Sequence, residues 1–179
     1  TTNTAPANGG TAGWSTNTTG VNGFKFYSGT GFDVCGSYNS FIEATNTSLA
    51  TNANPAMAWQ QISATPGNIY TLKIFGGTHE PSLNHSFLLS FYNASGVRLA
   101  KDSVQVDYDV DPTGGLQQYT LGGTAPANTS YLRIEGKAVG DYLKIDMACL
   151  NMTVGATVNL GNYIWYDVNN NGIQDAGEP

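Results

Sequence analysis

A chain of 179 residues, 40% of them hydrophobic, is long enough to bury the core of one domain of ordinary size. Only 11% of the residues are charged and the formal net charge is −6, with seven Lys and Arg scattered singly, so the dense basic track that nucleic acid requires is missing. No apolar run approaches the roughly 18 residues of a membrane span, and Thr1 to Trp14 has neither the basic nor the apolar region of a signal peptide. A surface rich in Gly, Asn, Thr and Ser but poor in charge suits a secreted β-protein better than a cytosolic enzyme. Neither nucleic acid nor membrane insertion is expected.

In chain order, Thr1 to Thr19 is a polar, Pro- and Gly-containing lead-in that carries one apolar anchor, Trp14. Strands are expected at Phe24 to Tyr27 and Phe41 to Ala44, then at Trp59 to Ser63, where Thr65-Pro-Gly-Asn68 turns the chain. Tyr70 to Phe75 and Ser86 to Tyr92 alternate apolar and polar residues, and Asn93-Ala-Ser-Gly96 supplies the next turn. Further strands are expected at Gln105 to Asp111, Gln117 to Leu121, Tyr131 to Glu135 and Tyr142 to Met152. No segment sustains a 3.6-residue stripe, so the series reads as an all-β, antiparallel two-sheet β-sandwich. His79-Glu80 followed by His85 lacks the spacing of a helical zinc motif and reads as a surface loop. Asp107, Asp109 and Asp111 read as a solvated acidic strand end, because Pro112 stands where a calcium loop needs glycine.

Alternation assigns Ile62, Tyr70, Leu72, Ile74, Phe87, Leu89, Phe91, Leu132, Ile134, Leu143, Ile145, Met147 and Cys149 to the core. Trp59, Gln61, Phe75, Tyr92, Tyr131, Arg133 and Glu135 then face outward. Sugars are bound by stacking a C–H face on an aromatic ring while amide and charged groups take the hydroxyls. Trp59, Gln61, Phe75, Tyr131, Arg133 and Glu135 are therefore the candidate ligand-binding residues. The competing reading is that these aromatics merely cover the second face of a sheet, or that a one-residue slip turns them inward. Cys35 and Cys149 are either two small core residues or a disulfide, and an extracellular setting favours the disulfide.

Gly13-Trp14-Ser15, Ala58 to Leu72, Ser130 to Glu135 and Tyr142 to Met147 together resemble, in order and spacing, the jelly-roll carbohydrate-binding modules, a likeness spanning residues 13–152. The resemblance implies that fold for a domain of residues 1–155 and a carbohydrate ligand. It also implies a structural calcium held by an acidic residue of the N-terminal segment and one of the last strand. Asp146 fits the latter place; the former is not filled, because Asn8-Gly-Gly10 is followed by Thr11.

The most specific chemistry lies at the end. From Asp167, oxygen-bearing side chains fall at positions one (Asp167), three (Asn169), five (Asn171), nine (Asp175) and twelve (Glu178), with Gly172 at six and the Ile173 carbonyl at seven. This EF-hand-like spacing assigns Asp167, Asn169, Asn171, Ile173, Asp175 and Glu178 as ligands of Ca2+; the competing reading is a polar Asn/Gly turn without metal. The approach, Leu160 to Tyr166, is β-branched and aromatic and reads as a strand, not a helix. Gly161 to Pro179 accordingly resembles the opening of the calcium-binding B-type repeat of serine-aspartate-repeat surface adhesins. It implies that residues 156–179 are the truncated start of such a repeat.

No catalytic constellation is present: the chain has no Gly-x-Ser-x-Gly elbow and no phosphate-binding glycine loop, and it is expected to be no enzyme. The resemblances imply a monomeric, carbohydrate-binding module of a larger bacterial adhesin, extracellular at the cell surface and joined to calcium-stiffened repeats. The alternative is a structural spacer or protein-binding adhesin domain with no sugar site.

Overall fold

A computed structural model describes residues 14–17, 23–28, 38–43, 55–81, 84–110, 115–155, 166, 168–172 and 175–176, and in 23–28 and 38–43 the backbone alone. Its strands are β1 (Ser15–Thr16), β2 (Gly23–Ser28), β3 (Tyr38–Glu43), β4 (Ala56–Ser63), β5 (Ile69–Thr78), β6 (Ser86–Tyr92), β7 (Arg98–Gln105), β8 (Gln117–Thr124), β9 (Tyr131–Ala138) and β10 (Tyr142–Thr153). They form two five-stranded sheets, β1-β4-β9-β6-β7 and β2-β3-β10-β5-β8, in which every neighbouring pair of strands is antiparallel. Among the described strands, β2 and β3, and β6 and β7, follow one another within one sheet, and every other consecutive pair lies in opposite sheets. This is the expected all-β two-sheet sandwich. Among the described residues no helix is long and apolar enough to cross a membrane.

The core follows from the two-residue period of the strands. Leu72 and Ile74 of β5, Phe87, Leu89 and Phe91 of β6, Leu132 and Ile134 of β9, and Leu143 and Ile145 of β10 meet in one buried cluster. Rings tie the sheets together: Tyr70 lies 5.9 Å from Phe91, and Tyr119 meets Phe87 edge-on at 5.6 Å. The Tyr70 hydroxyl reaches the rim, where it accepts the Thr65 N–H at 2.9 Å. Trp14 is 9% exposed and joins the same cluster, so the anchor expected of the N-terminal lead-in is in place.

Both expected turns form. Pro66 and Gly67 (φ 81°) sit at the centre of a turn closed by Asn68 N–H on the Thr65 carbonyl at 3.3 Å, as a type II turn requires. Between β6 and β7, Gly96 N–H reaches the Asn93 carbonyl at 3.0 Å, while Asn93 Oδ1 accepts the N–H groups of Ser95 and Val97.

Four sequence expectations are corrected. Of the strand expected at 105–111, residues 106–110 form none: β7 ends at Gln105, Val106 and Val110 are buried, Asp109 makes one isolated bridge to Thr78, and Asp111 lies outside the described residues. The real strand, Arg98–Gln105, is a sheet edge with polar side chains on both faces and therefore shows no alternation. Met147 and Cys149 do not face the core. Two residues of β10, Met147 and Ala148, stand opposite Ile74 alone, because Asp146 pairs with Phe75 and Cys149 with Lys73. This bulge shifts the phase of the strand, leaving Met147 45% exposed with φ 46° and returning Leu150 to the core side. Cys149 is a free, exposed thiol, and Cys35, with which a disulfide was expected, lies outside the described residues.

The fourth correction is His85, which is wholly buried, not a surface-loop residue. Its Nδ1 accepts the Val139 N–H at 3.3 Å, which places the ring proton on Nε2, and Nε2 meets no acceptor among the described residues. Burial, reinforced by the nearby Lys137 charge, lowers its pKa from 6.5 to about 4. The unfolded chain therefore binds a proton at higher pH than the folded one. The stabilisation from a neutral His85 is complete above about 6.5 and is lost as pH falls toward about 4. In chemical denaturation, the wild type should lose more stability than His85→Gln between about pH 7 and about pH 4.5; equal losses would contradict this account. A second expectation concerns close packing. A Cβ on Gly76 would lie 2.6 Å from Phe87 Cε2 and 2.7 Å from the Lys144 carbonyl oxygen. Gly76→Ala should cost about 1–3 kcal/mol in urea unfolding, and an unmoved midpoint would show that the sheets do not approach so tightly.

Candidate functional site

Strand β9 runs through the middle of its sheet between β4 and β6, and its odd-numbered residues look away from the core. Register places Trp59 beside Glu135, Gln61 beside Arg133, and Ser63 beside Tyr131 on one flank. On the other flank, Leu88 stands beside Glu135, Ser90 beside Arg133, and Tyr92 beside Tyr131. Five of the six candidate ligand residues thus converge on one outer face: Trp59, Gln61, Tyr131, Arg133 and Glu135. Phe75 is not among them. It belongs to β5 of the opposite sheet, paired with Gln118 and Asp146, because the chain crosses between sheets after β4.

Arg133 organises the face. Its guanidinium carbon lies 5.1 Å from the Trp59 ring centre, 5.0 Å from Tyr92 and 5.5 Å from Tyr131. Each such cation–π contact contributes about 0.5–1 kcal/mol where water has access. Gln61 Oε1 accepts from both Arg133 Nε at 3.2 Å and Nη2 at 3.1 Å, which fixes the plane of the guanidinium. Tyr92 and Tyr131 stack with centroids 5.1 Å apart and planes 10° from parallel. All three rings and Arg133 are half-buried, and Gln61 is exposed.

Glu135 differs from the expectation of an exposed carboxylate. Its side chain points to this face but is only 4% exposed. Its Oε1 accepts the Tyr92 hydroxyl at 2.7 Å and its Oε2 the Ser90 hydroxyl at 3.3 Å, so it holds the rings from beneath. Burial, followed by that hydrogen bond to Glu135, pushes the Tyr92 hydroxyl above its ordinary pKa and keeps it a donor. Tyr92 and Ser90 are the site residues that the candidate set omits. The signal for Tyr92 was its outward phase in β6, whereas its nearness to Arg133 depends on pairing across strands distant in sequence.

Nothing in this arrangement forms a nucleophile–base pair; what it offers is flat apolar ring surface ringed by donors and acceptors, suited to reversible stacking. A separate concavity of about 150 Å3 is lined from both sheets, by Trp14 and Gln60 on one side and by Ile145, Asp146, Met147 and Ala148 of β10 on the other. There Asp146 Oδ1 accepts the Met147 N–H at 2.7 Å, which supports the bulge.

Of the calcium-loop residues, Asn169, Asn171 and Asp175 are described; Asp167, Ile173 and Glu178 lie outside the described residues. The three that are described converge. Asn169 Nδ2 and Asn171 Nδ2 each reach Asp175 Oδ2 at 2.7 Å, and Asn169 Oδ1 accepts the Asn171 N–H at 3.1 Å. Gly172 has φ 75° and Asn170 φ 54°, the left-handed backbone of a tightly wound loop. Asn169 Oδ1 is held by the Asn171 N–H, whereas turning the Asn171 amide about its terminal bond presents oxygen beside Asp175 Oδ2, the donor type that a hard cation takes. Among the described residues no three His, Cys, Asp or Glu side chains gather as a metal site.

Solved structures share this fold at low identity. The CBM22-1 xylan-binding domain of Paenibacillus barcinonensis Xyn10C superposes with TM-score 0.55 at 10% identity, over 82% of this chain and 89% of that one. TmCBM61 in complex with β-1,4-galactotriose gives TM-score 0.50 at 11% identity over 79% and 90%. The enzymatically active domain of bacteriophage CBA120 tailspike protein 4 gives 0.58 at 15%, over 79% of this chain but only 20% of that chain's length. Identities this low establish a common fold and leave function to the site. No curated protein matches the sequence significantly. A family profile described as a domain of unknown function, DUF7850, matches residues 15–151, and the chain belongs to that family.

Proposed function

We propose that this domain is a non-catalytic carbohydrate-binding module of a bacterial cell-surface protein, with the outer face of β4, β9 and β6 as its sugar platform. The observation that carries the reading is the set of half-buried rings, Trp59, Tyr92 and Tyr131, around a guanidinium already oriented by Gln61. Rings held in place lose little freedom when a sugar stacks on them, and a fixed guanidinium loses little when it binds hydroxyls. The sandwich shared with a xylan-binding domain and a galactotriose-bound module supports the reading by analogy. Trp59→Ala and Tyr131→Ala should each weaken glycan binding at least about tenfold on a glycan array and in calorimetry. Their melting temperatures should stay close to wild type, because neither ring belongs to the core cluster. Silence of the wild type across the array would instead favour a spacer or protein-binding domain.

The C-terminal loop completes the proposal. It binds Ca2+ through Asp167, Asn169, Asn171, Ile173, Asp175 and Glu178 and stiffens the junction to a following repeat of the adhesin type. Three carboxylates and two neutral amides suit the weak, extracellular end of the calcium range, about 10⁻⁴–10⁻³ M, where the ion is constantly supplied. Calorimetric titration should show one site in that range, abolished by Asp175→Ala, together with protection from proteolysis near Asn170. No heat up to about 10 mM calcium would contradict it.

A further inference from the structure

The charges on the sugar platform are not those of the protein as a whole. The chain carries thirteen Asp and Glu against seven Lys and Arg. Four of those seven cations, Arg98, Lys101, Arg133 and Lys137, share the outer face of the β4-β9-β6-β7 sheet. Register shows it: Lys137 and Arg133 keep the outward phase of Tyr131 along β9, Lys101 stands opposite Ser90, and Arg98 stands opposite Tyr92. Arg98 and Arg133 both act electrostatically on the Tyr92 hydroxyl, and Arg133 lies over the rings themselves. Among the described outward positions of those four strands Glu135 is the single acidic residue, and it is buried beneath the rings. An acidic protein thus presents one locally cationic, aromatic surface.

That surface is also graded along its length. At the end away from Tyr131 lies a concavity of about 230 Å3 lined by Asn84, His85, Ser86, Ser103, Gln105 and Lys137, with a contribution from Val104. The groups it presents are amide, hydroxyl and ammonium, whereas the other end is ring upon ring. From Tyr131 to Lys137 the strand advances about 20 Å, the reach of an extended oligosaccharide and not of a single sugar.

We propose that the ligand of this face is a carboxylated polysaccharide, a chain of uronic acid residues, whose ring faces stack on Trp59 and Tyr131 while its carboxylates meet Arg133, Lys101 and Lys137. The inference rests on the sugar-binding reading above and adds the class of sugar. Carboxylate is the anion favoured because Arg133 is held flat among three rings, and a planar fork pairs with a planar carboxylate in two parallel hydrogen bonds. A uronate chain gains from the positive field that Arg98, Lys101, Arg133 and Lys137 make together on this face, and a neutral glycan does not.

The test uses the whole chain and three probes in calorimetry at about 0.05 M and about 0.5 M salt: oligogalacturonate, the same oligomer fully methyl-esterified, and sulfated dextran, with a single-stranded oligonucleotide as a general polyanion. Oligogalacturonate should bind at least about tenfold more tightly than its ester at low salt, and the ratio should shrink as salt screens the charges. In the Lys101→Gln/Lys137→Gln double variant, whose folding is checked by its melting curve, the acid-to-ester ratio should fall toward one. Lys101→Gln alone should move the ratio in the same direction if the double variant does not fold. Equal binding of acid and ester would overturn this inference and leave the sugar-binding reading standing. Tighter binding of sulfated dextran or of the oligonucleotide would overturn the carboxylate assignment, and no binding to any glycan, on this panel or a broader array, would sink both readings.

Discussion

The organising constraint of this molecule is the double pairing of β9. Held antiparallel between β4 and β6, it cannot slip by one residue without exchanging its two faces, since side chains alternate strictly along a strand. Leu132 and Ile134 on one face are buried against the opposite sheet, and this burial locks the register. Each fully buried aliphatic side chain is worth about 1.5–3 kcal/mol relative to exposure. The other face then has no freedom: Tyr131, Arg133 and Glu135 are placed where they are because Leu132 and Ile134 are. The platform is a by-product of the core, and its geometry is as rigid as the core that sets it.

On that rigid frame, polar chemistry is layered by depth. Glu135 is deepest and nearly inaccessible, and its two oxygens hold Tyr92 and Ser90. Above it, Arg133 is oriented by the Gln61 amide and surrounded by three rings, a preorganisation of the kind that lowers the entropic cost of binding. Outermost, Lys101 and Arg98 on the edge strand are exposed; the same charges protect that edge from pairing with another sheet. One set of residues therefore serves solubility of an edge and composition of a face.

How much of this was legible in the sequence depended on whether a feature was local. Turns at Pro66-Gly67 and Asn93-Gly96 announce themselves in two or three residues, and the alternation of β5, β6 and β9 identified most of the core. Five residues of the platform were found by the same outward phase. What local pattern could not supply was pairing: Phe75 has the same outward phase as Trp59 but sits in the other sheet. Nor could it show the bulge at Met147, where a single extra residue inverts the phase of the strand beyond it, so that Cys149 faces out and Leu150 faces in. The edge strand β7 was missed because an edge with polar residues on both faces carries no periodic signal. His85 was misplaced because a lone histidine among Gly, Pro and Asn looks like a loop, whereas the Val139 N–H that donates to its Nδ1 lies 54 positions away.

The account stands most directly on whether sugar meets the face that β9 builds. Side-chain NMR of the chain during titration with a bound oligosaccharide reads this without any mutation, because the indole N–H of Trp59 and the Nε–H of Arg133 report on the platform. The indole of Trp14, buried in the core, serves as the internal reference. The account predicts saturable shifts of the Trp59 and Arg133 signals with Trp14 unmoved; shifts confined to residues of the opposite sheet, such as Phe75 and Gln118, would contradict it.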